Sequence, residues 1–281
     1  MRNDSNKAKK VDCIAALIVT FNPDEKLFLS LENLRSITDR VVIIDNNSSD
    51  KSFIEQLKRN FKKEYLTILE QPHNLGIAVA LNHGVQYLKD NFKADYVLTL
   101  DQDTIVVQQS LDRIIREVNQ RFDKVGVIAL GDNKTEETSV YRQVRYIKTS
   151  GNLVKMEIFD NLRFREEFFM DQVDYDFDYE VINHGYRIIL ADWYLIDHRL
   201  GTKKGKLSSY EPPIRVYYII RNSTVLLMER KLSLAFYAHQ IIGWSLSSIY
   251  QDGIITYSRT LITGLIDGLT RKLGNKMKFK G

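Results

Sequence analysis

Three polar clusters follow short apolar runs in the first part of the 281-residue sequence, and their side chains suit a charged ligand. The clusters are Thr20-Phe21-Asn22, the run from Asp45 to Asp50, and Asp101-Gln102-Asp103. Two carboxylates one residue apart can hold one hard cation, and Mg²⁺ or Mn²⁺ on oxygen ligands keeps positions open for phosphate oxygens. Each cluster alone is typical of a turn, whereas the three together favour a ligand site.

A further group of acids lies between residues 170 and 180 and offers general-base chemistry. Its members are Asp171, Asp174, Asp176, Asp178 and Glu180. On a helix, Asp171, Asp174 and Asp178 would share one face, and their mutual repulsion would raise one pKa towards the range that a base needs. An acid-rich helix N-terminus is the alternative, because the helix dipole favours negative charge there, but it explains one or two acids better than five.

The elements that must position these groups alternate along the chain. Apolar runs predict strands at 14–20, 41–44, 66–69, 96–100 and 125–129, and helical patterns lie between them at 24–37, 52–61, 77–88 and 111–122. Such alternation is typical of a parallel sheet with helices on both faces, where ligands bind beyond the carboxyl ends of the strands. The three clusters are therefore expected to meet at one edge of the sheet.

The remainder of the sequence changes character. Short strands and loops are predicted up to about residue 197, and a mostly helical region follows. Four prolines and the lack of a Gly/Ser-rich linker argue against two independent domains. We therefore expect a disordered N-terminus over residues 1–10, an α/β domain over residues 11–212 and a helical extension over residues 213–281.

Charge separates the end of this extension from the rest of the chain. The net charge is +4, and residues 271–281 hold five Lys and Arg and no acid, which leaves −1 for residues 1–270. Because the excess positive charge is confined to this tail, it argues against nucleic acid as a partner and favours a basic attachment surface at one end of the chain. One cysteine allows no internal disulfide, and neither a leader peptide nor a spanning helix is visible, so we expect a cytoplasmic protein.

The motifs, taken in order, resemble those of the family 2 inverting glycosyltransferases. They are the three clusters above, Asn74-Leu75-Gly76, Ser150-Gly151-Asn152, the segment 168–174, His198-Arg199-Leu200-Gly201 and Arg221-Asn222. The resemblance covers about residues 12–230, and within the family the sequence is most similar to bacterial rhamnosyltransferases. It implies the GT-A nucleotide-diphospho-sugar transferase fold, which is α/β with a Rossmann-like, mostly parallel sheet, and a requirement for Mn²⁺ or Mg²⁺.

The resemblance also implies roles for individual residues. Nucleotide-sugar binding is expected of Thr20, Phe21, Asn22, Asp45, Asn47, Asn74, Gly76, Asp101, Gln102 and Arg221, and metal ligation of Asp101, Asp103 and His198. In this scheme the Asp45 carboxylate accepts the imide N–H of uracil or thymine, and the Arg221 guanidinium contacts a diphosphate. A strand-end cap and an ordinary helix residue are the alternatives for these two residues.

The same resemblance places the catalytic base at Asp174, with Asp171 and Asp176 as alternatives. An inverting transfer needs a carboxylate that deprotonates the acceptor hydroxyl as it attacks the anomeric carbon. The sequence departs from its relatives at Glu180, where an arginine is usual. The basic, glycine-flanked loop 201–206 is expected to close over the bound nucleotide sugar.

The expected reaction moves L-rhamnose from dTDP-L-rhamnose to a polyprenyl-diphosphate-linked saccharide, in the assembly of cell wall, capsule or O-antigen. A UDP-sugar donor carrying galactofuranose, glucose or N-acetylglucosamine is the nearest alternative. A nucleotidyltransferase would need a glycine-rich basic loop after the first strand. Residues 20–24 are neither glycine-rich nor basic, which argues against this class of enzyme. A non-catalytic sugar-nucleotide-binding protein would not require the acids of residues 171–178.

Apolar residues at helical spacing near the C-terminus predict attachment to a membrane surface. The stripes are Leu234, Tyr237, Ile241 and Trp244, and then Leu261, Ile262, Leu265, Ile266 and Leu269. With the basic tail beside them, they favour a peripheral position on the anionic inner face of the plasma membrane, where the acceptor resides. Formation of a homodimer and internal packing are the alternatives.

Overall fold

The structure is a computed structural model that describes residues 12–107, 111–134, 140–198 and 212–276. In chain order its strands and α-helices are β1 (Ile14–Thr20), α1 (Lys26–Leu34), β2 (Arg40–Asp45), α2 (Lys51–Asn60), β3 (Leu66–Glu70), α3 (Ile77–Asn91), β4 (Tyr96–Asp101), β5 (Thr104–Val106), α4 (Leu111–Arg121), β6 (Val125–Leu130), β7 (Tyr141–Val144), β8 (Asn152–Lys155), α5 (Val173–Asn183), β9 (Arg187–Ala191), β10 (Ile196–His198), α6 (Pro213–Met228) and α7 (Leu234–Leu269). The predicted order up to Leu130 is confirmed, with β5 as an additional short strand. Residues 1–10, predicted to be disordered, lie outside the described residues.

An eight-stranded sheet forms the centre of the molecule, in the order β3-β2-β1-β4-β8-β6-β9-β7. Strands β1 to β4 run parallel, as do β6 and β9, whereas β8 and β7 run antiparallel to their neighbours. The expected α/β fold with a mostly parallel sheet is confirmed. Because the strands β1, β2 and β4 end at the same edge, the polar clusters that follow them are collected there.

Two apolar layers cover the faces of this sheet, because consecutive side chains of a strand point to opposite faces. Ile18, Ile43 and Leu98 belong to the layer covered by α1, α2 and α4, and Leu17 belongs to the layer covered by α3 and α5. α3 approaches the sheet closely at Gly84, where an added Cβ would lie 2.1 Å from Leu17 Cδ1. A larger residue at position 84 would push α3 away from β1.

The C-terminal region is helical, as predicted, and it packs into the sheet domain. α6 is buried from Val216 to Leu226, and its last turns belong to the layer covered by α3 and α5. α7 lies along α6 and is interrupted at Gly253, whose φ of 83° favours glycine. None of the helices in the described ranges is both long enough and apolar enough to span a bilayer.

Candidate active site

Thr20 and Asp45 end the neighbouring strands β1 and β2 and are paired in register. Thr20 Oγ1 donates to Asp45 Oδ1 (3.1 Å), the Ser48 N–H donates to Oδ2 (3.0 Å), and Lys51 Nζ lies 3.3 Å from Oδ2. Asn47, within this turn, is exposed and has a φ of 67°. Because Asp45 is buried and its carboxylate organises the turn, the geometry supports a strand-end cap more directly than the expected contact with a base imide.

Gln102 joins the loop after β4 to the loop after β1. The Phe21 N–H donates to Gln102 Oε1 (2.8 Å), and the Gln102 amide donates to the Phe21 carbonyl (3.3 Å). The Asn22 N–H donates to Ser48 Oγ (2.8 Å), and the Ser49 N–H donates to Asn22 Oδ1 (2.8 Å). The three clusters thus meet at one edge of the sheet, as predicted, and the 47% exposed Phe21 side chain can stack there on a flat base.

Asn46 connects this edge to the segment before α3, although nothing in the sequence distinguishes it from the other residues of its cluster. Its Nδ2 donates to the Gly76 carbonyl (3.2 Å), and its Oδ1 accepts from the Leu75 N–H (3.0 Å). The Gly76 N–H in turn donates to Asn74 Oδ1 (2.9 Å). Gly76 has a φ of +88°, and an added Cβ would lie 2.4 Å from the Phe169 carbonyl oxygen. Glycine is therefore required here for close packing against the chain that leads to the acidic segment.

Asp101 ends β4, and Asp103 lies in the turn before β5. The Asp101 N–H donates to Ser150 Oγ (2.9 Å), which fixes the start of this turn. β5 pairs with β10, and the antiparallel register sets His198 opposite Thr104. The backbone therefore brings His198 beside the Asp-x-Asp turn, while the His198 side chain lies outside the described residues.

The donors of this turn fit a divalent cation. Asp101 and Asp103 are partly exposed carboxylates, and Asp101 lines a cleft, so their oxygens are accessible to a hard cation such as Mg²⁺ or Mn²⁺. Among the described side chains, no group of three or more His, Cys, Asp or Glu is arranged to hold a metal ion. Two protein carboxylates would leave positions for His198, which the resemblance implies, and for diphosphate oxygens.

A cleft of about 380 Å³ extends from the Asp-x-Asp turn to the C-terminal helices. Its lining residues include Asp101, Lys148, Asp171, Asp174, Tyr175, Arg215, Ile219, Gln240 and Trp244. This volume lies within the range of small-ligand sites. The cleft places the predicted base, Asp174, in the same space as the predicted metal ligand Asp101.

Asp174 lies in the first turn of α5 and faces this cleft. Burial raises the pKa of Asp174 to about 7, although the Tyr175 N–H donates to its Oδ1 (2.9 Å) and favours the ionised form. The nearby carboxylates of Asp171 and Asp101 raise this pKa further. A carboxylate with a pKa near neutrality is suited to accept a proton from a hydroxyl group.

Asp171 precedes α5, so it does not share a helical face with Asp174 and Asp178, and that expectation was wrong. Asp171 and Gln172 have φ values of 56° and 62°, which turn the chain sharply before the helix begins. The Asp171 carboxylate pairs with Arg215 Nε at 3.1 Å. Asp171 is therefore a cleft residue held by a cation of α6.

Asp178 does lie one turn after Asp174, but it is buried beneath the cleft. Burial raises its pKa, while the Ile147 N–H donates to its Oδ2 at 2.6 Å. Asp178 and Asp174 both line a small internal cavity of about 10 Å³, beside Asn152. The second carboxyl of this face thus belongs to the interior of the domain.

Asp176, an alternative for the base, points away from the cleft. It is buried, and its Oδ1 lies 2.7 Å from Lys231 Nζ and 3.6 Å from Arg165 Nη1. Lys231 Nζ also lies 2.7 Å from Glu180 Oε1. The structure therefore corrects the assignment of Asp176 as an alternative base. It also explains the acid at position 180, because Glu180 and Asp176 pair with the same lysine, Lys231.

Arg221 is fully buried in α6, which corrects its expected contact with a diphosphate. Its guanidinium donates to the carbonyls of Gly274 (2.7 Å) and Phe168 (3.0 Å) and to Asn222 Oδ1 (2.9 Å). The Asn222 amide donates to the carbonyls of Phe168 (3.1 Å) and Asp171 (2.9 Å). The Arg-Asn pair therefore fixes the backbone that leads to Asp174. The loop 201–206, predicted to close over the donor, lies outside the described residues.

Comparison with known proteins agrees with this fold. Residues 16–174 match the family model described as Glycosyl transferase family 2. The chain belongs to this family and is a glycosyltransferase. It is also 24% identical over 287 residues to the dTDP-rhamnosyl transferase RfbF of Shigella flexneri, an alignment that covers 91% of this chain and 95% of that protein.

Solved structures with a similar fold include three proteins with bound ligands. S. aureus TarS 1-349 in complex with UDP-GlcNAc has a TM-score of 0.59 and 14% identity, and covers 92% of this chain and 81% of its own. The mannosyltransferase PcManGT from Pyrobaculum calidifontis in complex with GDP-Man and Mn²⁺ has a TM-score of 0.58 and 14% identity. The match covers 94% of this chain and 89% of the mannosyltransferase chain. GalNAc-T7 with UDP, GalNAc and Mn²⁺ has a TM-score of 0.62 and 12% identity over 77% of this chain, which spans 48% of that structure. These likenesses confirm the GT-A fold.

Proposed function

We propose that the protein is an inverting glycosyltransferase that moves L-rhamnose from dTDP-L-rhamnose to a saccharide hydroxyl. The observation that carries this proposal is the position of Asp174, a carboxyl group with a pKa of about 7 in the same cleft as Asp101. The choice of sugar rests on the similarity to the Shigella flexneri dTDP-rhamnosyl transferase.

In this reaction the Asp174 carboxylate accepts the proton of the acceptor hydroxyl while the hydroxyl oxygen forms a bond to the anomeric carbon. The bond from that carbon to the diphosphate oxygen breaks, its electron pair leaves with dTDP, and attack from the opposite face inverts the configuration. Asp101, Asp103 and His198 would hold Mn²⁺ or Mg²⁺, which when bound offsets the diphosphate charge. Phe21, exposed beside this turn, offers a stacking surface for the thymine base.

The acceptor in this proposal is a polyprenyl-diphosphate-linked saccharide on the inner face of the plasma membrane, and the product contributes to a cell-surface polysaccharide. The support is a row of exposed apolar side chains along α7: Leu234, Ile242, Leu246, Tyr250, Ile254, Ile255, Ile262, Ile266 and Leu269. The two acids of α7, Asp252 and Asp267, are not exposed, whereas Arg259 and Lys272 are. An apolar face beside cations suits an anionic bilayer surface.

Hydrolysis of the donor in the absence of an acceptor tests the sugar assignment. With Mn²⁺ present, we expect release of dTDP from dTDP-L-rhamnose to exceed release of UDP from UDP-glucose, UDP-galactofuranose and UDP-N-acetylglucosamine by about tenfold or more. EDTA is expected to abolish the release. Preference for a UDP-sugar would contradict the rhamnose assignment. Binding without turnover for every donor would instead indicate a non-catalytic nucleotide-sugar-binding protein.

A further inference from the structure

The cleft does not end at Asp174 but continues between α5 and the two C-terminal helices. On this side its walls are Tyr175 from α5, Arg215 and Ile219 from α6, and Gln240 and Trp244 from α7. The residues from α6 and α7 lie beyond residue 174, where the match to the family model ends. This half of the cleft is therefore formed by residues that lie outside the match to the family model.

Trp244 is anchored on one side and accessible on the other. It packs against the small apolar cluster of Val216, Ile220 and Tyr257 between α6 and α7, yet it remains partly exposed and lines the cleft. A tryptophan whose only role was packing between these helices would not need to face the cleft. A fixed indole beside a catalytic carboxylate is a suitable platform for the C–H face of a sugar ring.

Gln240 lies one helical turn before Trp244 and is held in a defined orientation. Its Oε1 accepts from Ser223 Oγ (3.1 Å), and Gln240 lines the cleft together with Tyr175, the residue after Asp174. A side-chain amide with one end fixed offers its remaining hydrogen-bonding capacity to a ligand hydroxyl. An aromatic face next to an oriented amide is the combination that recognises a saccharide, since a sugar ring presents C–H bonds on one face and hydroxyl groups at its edge.

We propose that Trp244 and Gln240 form a subsite for the terminal sugar of the acceptor, with the sugar ring stacked on Trp244 and a ring hydroxyl bound to Gln240. The hydroxyl that reacts then points towards Asp174, which lines the same cleft as Asp101. This inference rests on the transfer proposed above, and it names α7 as the element that selects the acceptor. It also gives α7 a role in the active site in addition to its exposed apolar face.

Fluorescence tests the subsite directly, because the chain contains only two tryptophans, Trp193 and Trp244. Trp193 packs against Tyr141 with ring centroids 5.2 Å apart and does not line the cleft. In the Trp193→Phe variant the emission reports Trp244 alone. We expect methyl α-L-rhamnoside, methyl β-N-acetylglucosaminide or methyl galactoside to change this emission with saturation at about 1–10 mM. The Trp244→Phe variant should show no such change, and lack of response to all three sugars at about 100 mM would overturn the proposal.

Kinetics separate failure of this inference from failure of the proposed function. Trp244→Ala should lower kcat/KM for transfer to whichever of the three methyl glycosides binds by about tenfold, with Trp244→Phe retaining most of the rate. His239→Ala, at an exposed position on the same helix and outside the cleft lining, should not change this rate. Unchanged transfer in Trp244→Ala would overturn the subsite. A wild-type protein that hydrolyses no donor would contradict the proposed function, while the fluorescence titration would still decide whether Trp244 binds sugars.

Discussion

The acids between Asp171 and Glu180 differ in their surroundings rather than in their chemistry. Asp174 faces the cleft, Asp171 is paired with Arg215, and Asp176 is paired with Lys231 on the other side of α5. Burial raises the pKa of Asp176 as it does that of Asp174, but the hydrogen bond from Lys231 opposes the rise. A raised pKa alone therefore does not identify the base, and access to the cleft decides between the two residues.

Substitution Asp174→Asn should lower the rate of sugar transfer by about 10²–10⁴-fold, because the amide cannot accept the proton of the acceptor hydroxyl. In the wild type, kcat/KM should rise with pH through about 7, the pKa of Asp174, since the ionised carboxylate is the active form. Asp171→Asn should keep this rise of kcat/KM and shift it to lower pH, because the substitution removes a negative charge next to Asp174. An Asp174→Asn variant with wild-type turnover would show that another group is the base.

The same carboxyl should lower the stability of the fold at alkaline pH. Its pKa is raised from 3.8 to about 7 in the folded state, so the stability it contributes is complete below about pH 4 and is lost as the pH rises through 7. Asp174→Asn cannot ionise and should therefore raise the Tm at pH 8 by about 2–4 °C, with little change at pH 4. The exposed Glu64→Gln is the control and should show no such difference between the two pH values. Equal changes in Tm for Asp174→Asn and Glu64→Gln would contradict the link between the raised pKa of Asp174 and the dependence of stability on pH.

The secondary structure of the sheet domain could be predicted from the sequence because most of its central strands are buried on both faces. Such strands appear as uninterrupted apolar runs, and β1, β2, β4 and β6 were predicted for that reason. The edge strand β3 is only partly buried and was predicted from a shorter apolar run. The three polar clusters could be predicted to meet, because parallel strands end at one edge. The short strands β7, β8 and β10 have no such signal, since pairing between distant segments creates them.

The contacts of α6 show where sequence reasoning failed. Arg221 and Asn222 were recognised as a motif, and the resemblance implied that Arg221 contacts a diphosphate. No local signal distinguishes an arginine that binds phosphate from one that caps the carbonyls of Phe168 and Gly274. Trp244 was likewise read as part of a packing or membrane stripe, and its position on the cleft follows from the path of α7.

The loop between α6 and α7 should stabilise α5 through Lys231. This lysine is bound to Asp176 and Glu180, and its side chain is only 14% exposed. Lys231→Ala would leave Asp176 buried and deprived of its main cation, at a cost of about 3–5 kcal/mol in the free energy of unfolding. Lys58→Ala is a matched control, because Lys58 also bridges two acids, Glu55 and Glu70, but at the surface.

Denaturant unfolding of both variants measures the difference. The loss for Lys58→Ala should be about 0–1 kcal/mol, as is usual for exposed pairs. Lys231→Met keeps most of the side-chain volume and should be nearly as unstable as Lys231→Ala, because charge rather than packing is lost. Similar losses for Lys58 and Lys231 would show that the buried network does not hold α5.

On the scale of the whole molecule, charge and hydrophobicity divide the protein into two regions. The net charge of +4 is the sum of a nearly neutral body and a basic end, and the exposed apolar row of α7 lies in the region that leads to this end. Lys278 and Lys280 of the basic end lie outside the described residues. The same helix carries Trp244 on the cleft, so the surface proposed to meet the membrane and the subsite proposed to meet the acceptor sugar belong to one element.

This arrangement predicts that the α7 face binds anionic vesicles. Leu246 is 70% exposed, and Leu246→Glu removes an apolar contact and adds a charge that an anionic surface repels. We expect about tenfold weaker flotation with vesicles of phosphatidylethanolamine and phosphatidylglycerol, because each of these changes is worth about 1 kcal/mol or more at an interface. Gln56→Glu adds the same charge at an exposed position on α2 and should leave flotation nearly unchanged.

Point substitutions are preferable to removal of α7, because Gly274 accepts a hydrogen bond from Arg221 and α7 covers Val216 and Ile220. A truncated chain would expose this core and confuse loss of membrane binding with loss of folding. Sedimentation measures the oligomeric state of the same variants. It shows whether the exposed apolar row of α7 binds a bilayer or a second copy of the chain. If Leu246→Glu dissociated a dimer and left flotation unchanged, the face would be a dimer interface and the membrane proposal would be wrong. Weaker flotation with an unchanged oligomeric state is the result that a docking surface for the membrane requires.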